Sequence, residues 1–410
     1  MRPQVKIMLG NGQLGRQVAN ADGVALLVLC LPDTYIDQIT ERLFYSLRDA
    51  EVAGITQDAD VDNNALAWEH VKDFYAEAGD GAPLHVLLLE NATTLVNLFT
   101  VSSDANVALQ SFLQEKKGVV RLLAVALNPV VAEAALASGV TADLLAAVPL
   151  AQTFAAAEFI RFRPVDVVLE GRAFNASAAA AYDLRTLNAN SVAVTIGRDA
   201  VRVAELVDAG ITVASKYANV GTVLGRLSAI PVQRSIGRVR SGAIAGLRQA
   251  SLSGGALVTS LLDTALDVLT DKAYIFPLVH PGKDGFFFND DPTCAPATDD
   301  YAFIKDSRVI KKAARIARAI YLDELLDDVS VDPTSGKLPA IEIARFQNVL
   351  ENAIETQMVV TGEAVAVSVF VDPNQNVTAT DKIKAVVRIT KKATARTIEA
   401  TVEFFNPFNS

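Results

Sequence analysis

Apolar residues recur along the chain in two rhythms, and their alternation predicts its layout. Short apolar runs, Val24 to Leu31, Leu84 to Leu89, Val119 to Ala126, Val165 to Leu169 and Ser191 to Ile196, read as buried strands. Between them, apolar positions fall at helical spacing: Tyr35 to Ala53, with Ile36, Ile39, Leu43 and Leu47 on one face, then Leu66 to Ala78 and Asn106 to Glu115. The Ala-rich stretch Val130 to Ile160 is helical in character, as are Ala178 to Asn188 and Val201 to Asp208, while Ile211 to Ala214 is extended. Strand alternating with helix is the signature of an α/β layer.

The rhythm changes after Val279. Pro281 to Asp300 mixes turn formers with the consecutive Phe286, Phe287 and Phe288, an ordered loop that packs its aromatics. A helix is expected from about Asp306 to Asp328, ending before Asp332-Pro333, and a second from Ala340 to Thr356. Three strands close the chain: Val365 to Val371, Ile383 to Ile389, and Ile398 to Phe404. The fold class is α/β (mixed α+β), an N-terminal α/β body plus a C-terminal α+β assembly domain. Its expected parts are an N-terminal arm and hinge at 1–20, the body at 21–280, the assembly domain at 281–397 and a C-terminal arm at 398–410.

Composition narrows the chemistry. Hydrophobic residues form 51% of the 410 and charged residues 20%, so the chain can bury a large core and is not of the disordered class. Only three His (His70, His85, His280) and two Cys (Cys30, Cys294) are present, which makes multi-His or multi-Cys metal sites improbable. The distant cysteines form no disulfide framework. The apolar run Val24 to Leu31 is too short to span a bilayer and lacks the flanks of a signal peptide. A net charge of −10 argues against general binding to nucleic acid or anionic membrane.

Several motifs suggest chemistry and are outweighed by simpler readings. Gly10-Asn11-Gly12-Gln13-Leu14-Gly15 matches the dinucleotide fingerprint after a possible strand, Val5 to Leu9, and Asp33 follows at a suitable distance. That supports an alternative function, an NAD-binding oxidoreductase. The chain between Gly15 and Gly23 is too short for the required crossover helix, however, so a flexible hinge is the better reading. Asp284, Asp290, Asp291, Asp299 and Asp300 fit no calcium loop and read as turn and cap residues. The locally basic Arg226, Arg234, Arg238 and Arg240 read as ion-paired surface.

One pattern points to a partner. At about 100° per residue, Lys311, Lys312, Arg315 and Arg318 fall within about 80° of Arg308, forming a single basic stripe. Val309, Ile310, Ala313, Ile316, Ala317 and Ile320 oppose it. Positive charge leads this helix and Asp323, Glu324, Asp327 and Asp328 close it, against the macrodipole. A locally unfavourable arrangement of this kind calls for an anionic protein surface. Reversing Arg308, Lys311 and Arg315 to Glu should then leave the monomer folded and weaken attachment. The strand-like ends are a second pointer, since an uncovered apolar edge strand needs something to pair with.

Together these stretches resemble the contractile tail sheath family. The resemblance rests on the Val5-Lys6-Ile7 strand with its Gly-rich turn, on Leu187 to Val194, and on Asp271 to Phe276. It continues through Gly285 to Thr293, through Thr298 to Tyr301 and Arg308 to Ala313, and through Asp372 to Val377 before two strands. The resemblance implies a structural, non-enzymatic subunit that needs neither cofactor nor metal. Such a subunit forms stacked hexameric rings around an inner tail tube protein, meets baseplate and tail terminator proteins, and contracts to drive the tube through a target envelope. It implies no nucleic-acid partner and no membrane insertion. Its location is the virion tail or an assembled injection particle, after synthesis in the host cytoplasm. Carried over, the inter-subunit strand arms are Val5, Ile7, Leu9 and Ile398, Val402, Phe404; the hinge is Gly10, Gly12 and Gly15. The inner-tube-facing residues are Arg308, Lys311, Lys312, Arg315 and Arg318. A tail-tube or other ring-forming protein is a further reading.

Overall fold

A computed structural model describes residues 21–131 and 134–404. The chain divides into two units, Met1–Arg318 and Ala319–Ser410.

Within the first unit, strands β1 (Ala25–Leu31), β2 (Leu43–Phe44), β3 (Leu84–Glu90), β4 (Leu122–Ala126), β5 (Asp166–Glu170) and β6 (Val192–Thr195) enter one sheet. After the pair β7 (Gly197–Asp199) and β8 (Ala250–Leu252), strand β9 (Tyr274–Ile275) completes it, in the order β2-β3-β1-β4-β5-β6-β9. All neighbours in this sheet are parallel except β2 against β3. The β3-β1-β4 order places a topological switch at β1, as in doubly wound folds.

A parallel sheet must be covered on both faces, and the period of two along β1 shows how. Leu26, Val28 and Cys30 join the core with Leu98, Leu109, Leu144, Val148 and Phe154. Ala25, Leu27, Leu29 and Leu31 join the opposite core with Val71, Phe74, Val223 and Leu227. Every residue of β1 is fully buried, and each large aliphatic side chain there contributes about 1.5–3 kcal/mol through burial.

The second face depends on a close helix contact. Helix Val220–Ala229 lies over the sheet beneath helix Ala67–Ala78. A Cβ on Gly221 would stand 2.2 Å from the His70 carbonyl oxygen, and one on Gly225 2.4 Å from that of Phe74. Glycine at these two positions lets the backbones meet.

Several expected elements differ. Tyr35 to Ala53 is not one helix but a turn of helix at Asp33–Ile36, strand β2 and helix Leu47–Val52; Ser46 caps the last by accepting from Asp49 N. Ala178 to Asn188 keeps only a 3-10 turn at Leu184–Leu187, and Ile211 to Ala214 is 3-10 rather than extended. The aromatic loop does pack: β10 (Pro277–Leu278) pairs with β11 (Phe287–Phe288) and buries both Phe287 and Phe288. The first unit thus runs on past residue 280 to Arg318.

The second unit holds helix Ala340–Ile354, a π turn at Glu355–Val359, and the antiparallel pair β12 (Ala364–Val371) and β13 (Ala385–Lys391). Its small core is Leu338, Phe346 and Val371.

Candidate functional site

The basic helix runs from Ile304 to Leu322, and its stripe faces its own chain. Lys311 Nζ donates to Asp166 Oδ1 at 2.6 Å, to Ser191 Oγ at 2.9 Å and to the Val165 carbonyl at 2.8 Å. Ser307 Oγ donates to the same Asp166 oxygen at 2.6 Å. Arg308 is buried and donates to the Ile230 carbonyl at 3.2 Å. Lys312 pairs with Asp22 at 2.6 Å, and Arg315 pairs with the same carboxylate. Arg318 lies with its guanidinium carbon 3.5 Å from the centre of the Phe162 ring.

These acceptors share a location. Asp22 precedes β1, Asp166 opens β5 and Ser191 precedes β6, so the helix crosses the amino ends of the strands. Its cations bind the first residues of the sheet. Burial raises the Asp22 carboxyl, but Lys312 and Arg315 outweigh it and hold the group below its ordinary range. Burial lowers Lys311 despite the opposing pull of Asp166, and burial lowers Arg308 to about 10. The expectation of an outward, tube-facing stripe is therefore corrected for Arg308 and Lys311, which are buried, and for Lys312 and Arg315, whose charge is matched by Asp22. Only Arg318 is exposed. The helical period does put these five cations on one face, but a period is the same for a cation facing a partner and for one buried against a carboxylate of its own chain.

The opposite, carboxyl end of the sheet is where doubly wound folds bind ligands. Here the chain's own buried polar groups occupy much of it, beside a cavity of about 250 Å³ lined by Pro129, Val130, Arg172, Ala173, Thr212 and Val213. Glu170 accepts from Leu127 N at 2.8 Å and Ala218 N at 3.0 Å and pairs with buried Arg172 at 2.8 Å. Arg172 donates onward to the Leu127 and Val213 carbonyls, each at 2.9 Å, and Asn128 Nδ2 to the Cys30 carbonyl at 2.9 Å. Burial raises the Glu170 carboxyl, with Arg172 opposing. The turn after β1 reads Leu31-Pro32-Asp33 and has no glycine for a pyrophosphate to approach. Gly10 to Gly15 lies outside the described residues. The NAD-binding alternative finds no support.

The remaining candidates are structural. Asp291 is buried, and its Oδ2 accepts from Lys305 N at 2.8 Å at the start of the basic helix. Asp299 accepts from Tyr301 N at 2.7 Å in a turn. Arg226 is buried, pairs with Glu77 and donates to the Ala243 carbonyl at 2.9 Å. His70, fully buried, is held neutral, its pKa lowered to about 3 by burial. Cys30 and Cys294 are buried thiols raised by burial to about 12. Among the described residues no group of three or more His, Cys, Asp or Glu is placed to hold a metal ion.

The second unit presents an unfinished sheet. In the β12–β13 register Val371 faces Ala385, Val369 faces Val387 and Val367 faces Ile389; Val369 and Val371 are buried. On the other face Phe370 pairs with Val386, both about half exposed. Two strands alone are marginal, and among the described residues no further strand pairs with either edge of this pair. Beyond β13 the chain from 392 to 404 forms neither helix nor strand. The expected strand Ile398 to Phe404 is not formed within the chain, and Ile398, Val402 and Phe404 are exposed at 84%, 94% and 107%. The other arm, Val5, Ile7 and Leu9, and the hinge Gly10, Gly12 and Gly15 lie outside the described residues.

Comparison with known proteins places this architecture. The family described as DUF2586, N-terminal domain, matches residues 2–292, and its C-terminal domain matches residues 300–409. No curated protein matches the chain. Among solved structures, a chain of the anti-feeding prophage (AFP) helical sheath in contracted state superposes at a TM-score of 0.63 and 15% identity, covering 99% of each chain. A chain of the AFP baseplate gives 0.61 at 13%, again over 99% of each. The sheath tail protein from Desulfitobacterium hafniense gives 0.50 at 10% identity, over 95% of this chain and 100% of that one. At such identities the likeness is one of fold, and that fold is the one found in contractile sheath proteins.

Proposed function

The chain belongs to the DUF2586 family, and from that premise we propose that it is a structural, non-enzymatic subunit of a contractile tail sheath. Many copies stack as hexameric rings around an inner tube and shorten to drive that tube through a target envelope. The observation that carries the reading is the two-stranded sheet of the second unit, whose edges are open among the described residues, beside an apolar segment, Ile398 to Phe404, that is exposed and has no strand partner among the described residues. Whole-length similarity of fold to sheath proteins supports it.

On this reading Ile398, Val402 and Phe404 pair with the sheet of a neighbouring copy, as do Val5, Ile7 and Leu9 from the other end. The backbone hydrogen bonds of such added strands lie across the pulling direction, so the lattice stays connected while rings slide. Gly10, Gly12 and Gly15 give the arm its freedom to bend. Partners are further copies, the tube protein, and the baseplate and terminator proteins at the two ends, in a virion tail or injection particle.

Removing residues 398–410 should leave a folded, soluble monomer that forms no tubes in negative-stain micrographs, where the full chain does. Tubes of ordinary length from the truncated protein would defeat the reading.

A further inference from the structure

The first unit carries an apolar projection and an apolar groove at opposite ends of its sheet. Helix Ala142–Ile160 buries Leu144, Val148, Ala151 and Phe154 against the sheet. Its outward positions Ala142, Ala146, Pro149, Thr153, Ala156, Phe159 and Ile160 include no charged residue. The helix ends in a knob: Phe159, Ile160 and Phe162 are 44%, 74% and 57% exposed. Phe162 sits at φ 62°, a left-handed position that glycine ordinarily takes after a helix and a bulky residue rarely does. Arg318 covers one face of the Phe162 ring; the rest of this strained aromatic, with Ile160, stands in solvent, which is costly unless something covers it. Arg161 and Arg318 flank it.

The groove is lined by Phe174, Ala176, Leu252, Leu261, Ala265 and Leu269 and has a volume of about 150 Å³. Leu262, next in sequence to the lining residue Leu261, is exposed, and the helix Asp263–Asp271 that carries Ala265 and Leu269 exposes Asp263 and Asp267. Phe162 lies just before the start of β5, whereas Phe174 follows its end and Leu252 lies on β8, paired with β7 just past the end of β6. Knob and groove thus sit at opposite ends of the parallel strands. The knob is aromatic with a basic flank; the groove is apolar with an acidic one.

We propose that the Phe159–Phe162 knob of one copy seats in the Leu252–Leu269 groove of a second copy. The contact is heterologous: two different surfaces meet head to tail, and repetition extends the array rather than closing a dimer. This contact lies in the first unit and is separate from the terminal arms, though it rests on the reading of the chain as a polymerising subunit. A membrane is the other conceivable cover, since Ala142–Ile160 has the length and hydropathy to cross one. Its inner face is built into the core, so it cannot leave without dismantling the sheet's cover.

The test is a paired cysteine variant, Ile160→Cys with Leu262→Cys, in the full chain, whose own two cysteines are buried. Oxidised polymer should give a ladder of cross-linked multimers on a non-reducing gel, and either single variant should not. Phe162→Gly provides the second arm: glycine suits the left-handed backbone, so the monomer should fold as well as before while the concentration needed to polymerise rises about tenfold or more. Polymer without a ladder, and with Phe162→Gly unaffected, overturns the inference and leaves the sheath reading standing. A full chain that forms no polymer at all overturns both, as does one that instead floats with phosphatidylcholine vesicles.

Discussion

At the scale of single residues, the most informative contact is that between Lys311 and Asp166. Both side chains are less than a tenth exposed, and the pair is satisfied on both sides, by Ser191 and the Val165 carbonyl for the ammonium and by Ser307 for the carboxylate. A buried pair of this kind adds little net stability against an apolar replacement, but removing one partner leaves an uncompensated charge in the interior. Lys311→Met should therefore destabilise the protein by about 3–5 kcal/mol, measured by urea unfolding. Adding Asp166→Asn should return much of that loss, since no charge is then stranded. Reversing Arg308, Lys311 and Arg315 to Glu, which the surface-stripe reading expects to leave the monomer folded, instead drives carboxylates onto Asp22 and Asp166 and should prevent folding. A folded triple variant would restore the stripe to the surface.

Among the elements, those with a one-sided or continuous apolar pattern were legible. The runs at Val24, Leu84, Val165 and Ser191 became β1, β3, β5 and β6 with ends displaced by a residue or two, because a strand buried on both faces has no choice of residue type. Helix Val220–Ala229 was not foreseen: it is buried all round, and its two glycines read as breakers. The glycines are the reason it belongs there. Gly221→Ala and Gly225→Ala each improve intrinsic helix propensity by about 1 kcal/mol, yet the added methyl meets backbone on the Ala67–Ala78 helix. Overpacking costs typically about 1–3 kcal/mol, so both substitutions should lower the urea midpoint, and an increase would mean the helices can part. The charge stripe illustrates the other limit. Periodicity placed five cations on one face but could not say what that face meets, because Asp22 and Asp166 lie far away in sequence and converge only when the sheet forms. The strand-like alternation at Ile398 to Phe404 was legible as a pattern, though nothing among the described residues pairs with it as a strand.

For the molecule as a whole, the net charge of −10 and a sequence pI near 5.0 bear on assembly more than on folding. Burial does not remove that excess: Arg172, Arg226, Arg308 and Lys311 are buried against acceptors of their own chain, and so are carboxylates such as Glu158, Asp166 and Glu170, while most charged side chains of both signs stay at the surface. Copies of this protein therefore approach one another as like-charged bodies. Screening length falls from about 30 Å at 0.01 M salt to about 8 Å at 0.15 M, which removes repulsion between whole subunits while affecting contacts at hydrogen-bond distance much less. If the chain polymerises as proposed, the concentration required should fall as salt rises over that range. It should fall again as pH is lowered from 7 towards 5, where the net charge approaches zero. Sedimentation of polymer at several salt concentrations would measure it. A requirement that rises with salt would mean that complementary charges across the subunit contacts, such as Arg161 and Arg318 against Asp263 and Asp267, outweigh the repulsion between the bodies that carry them.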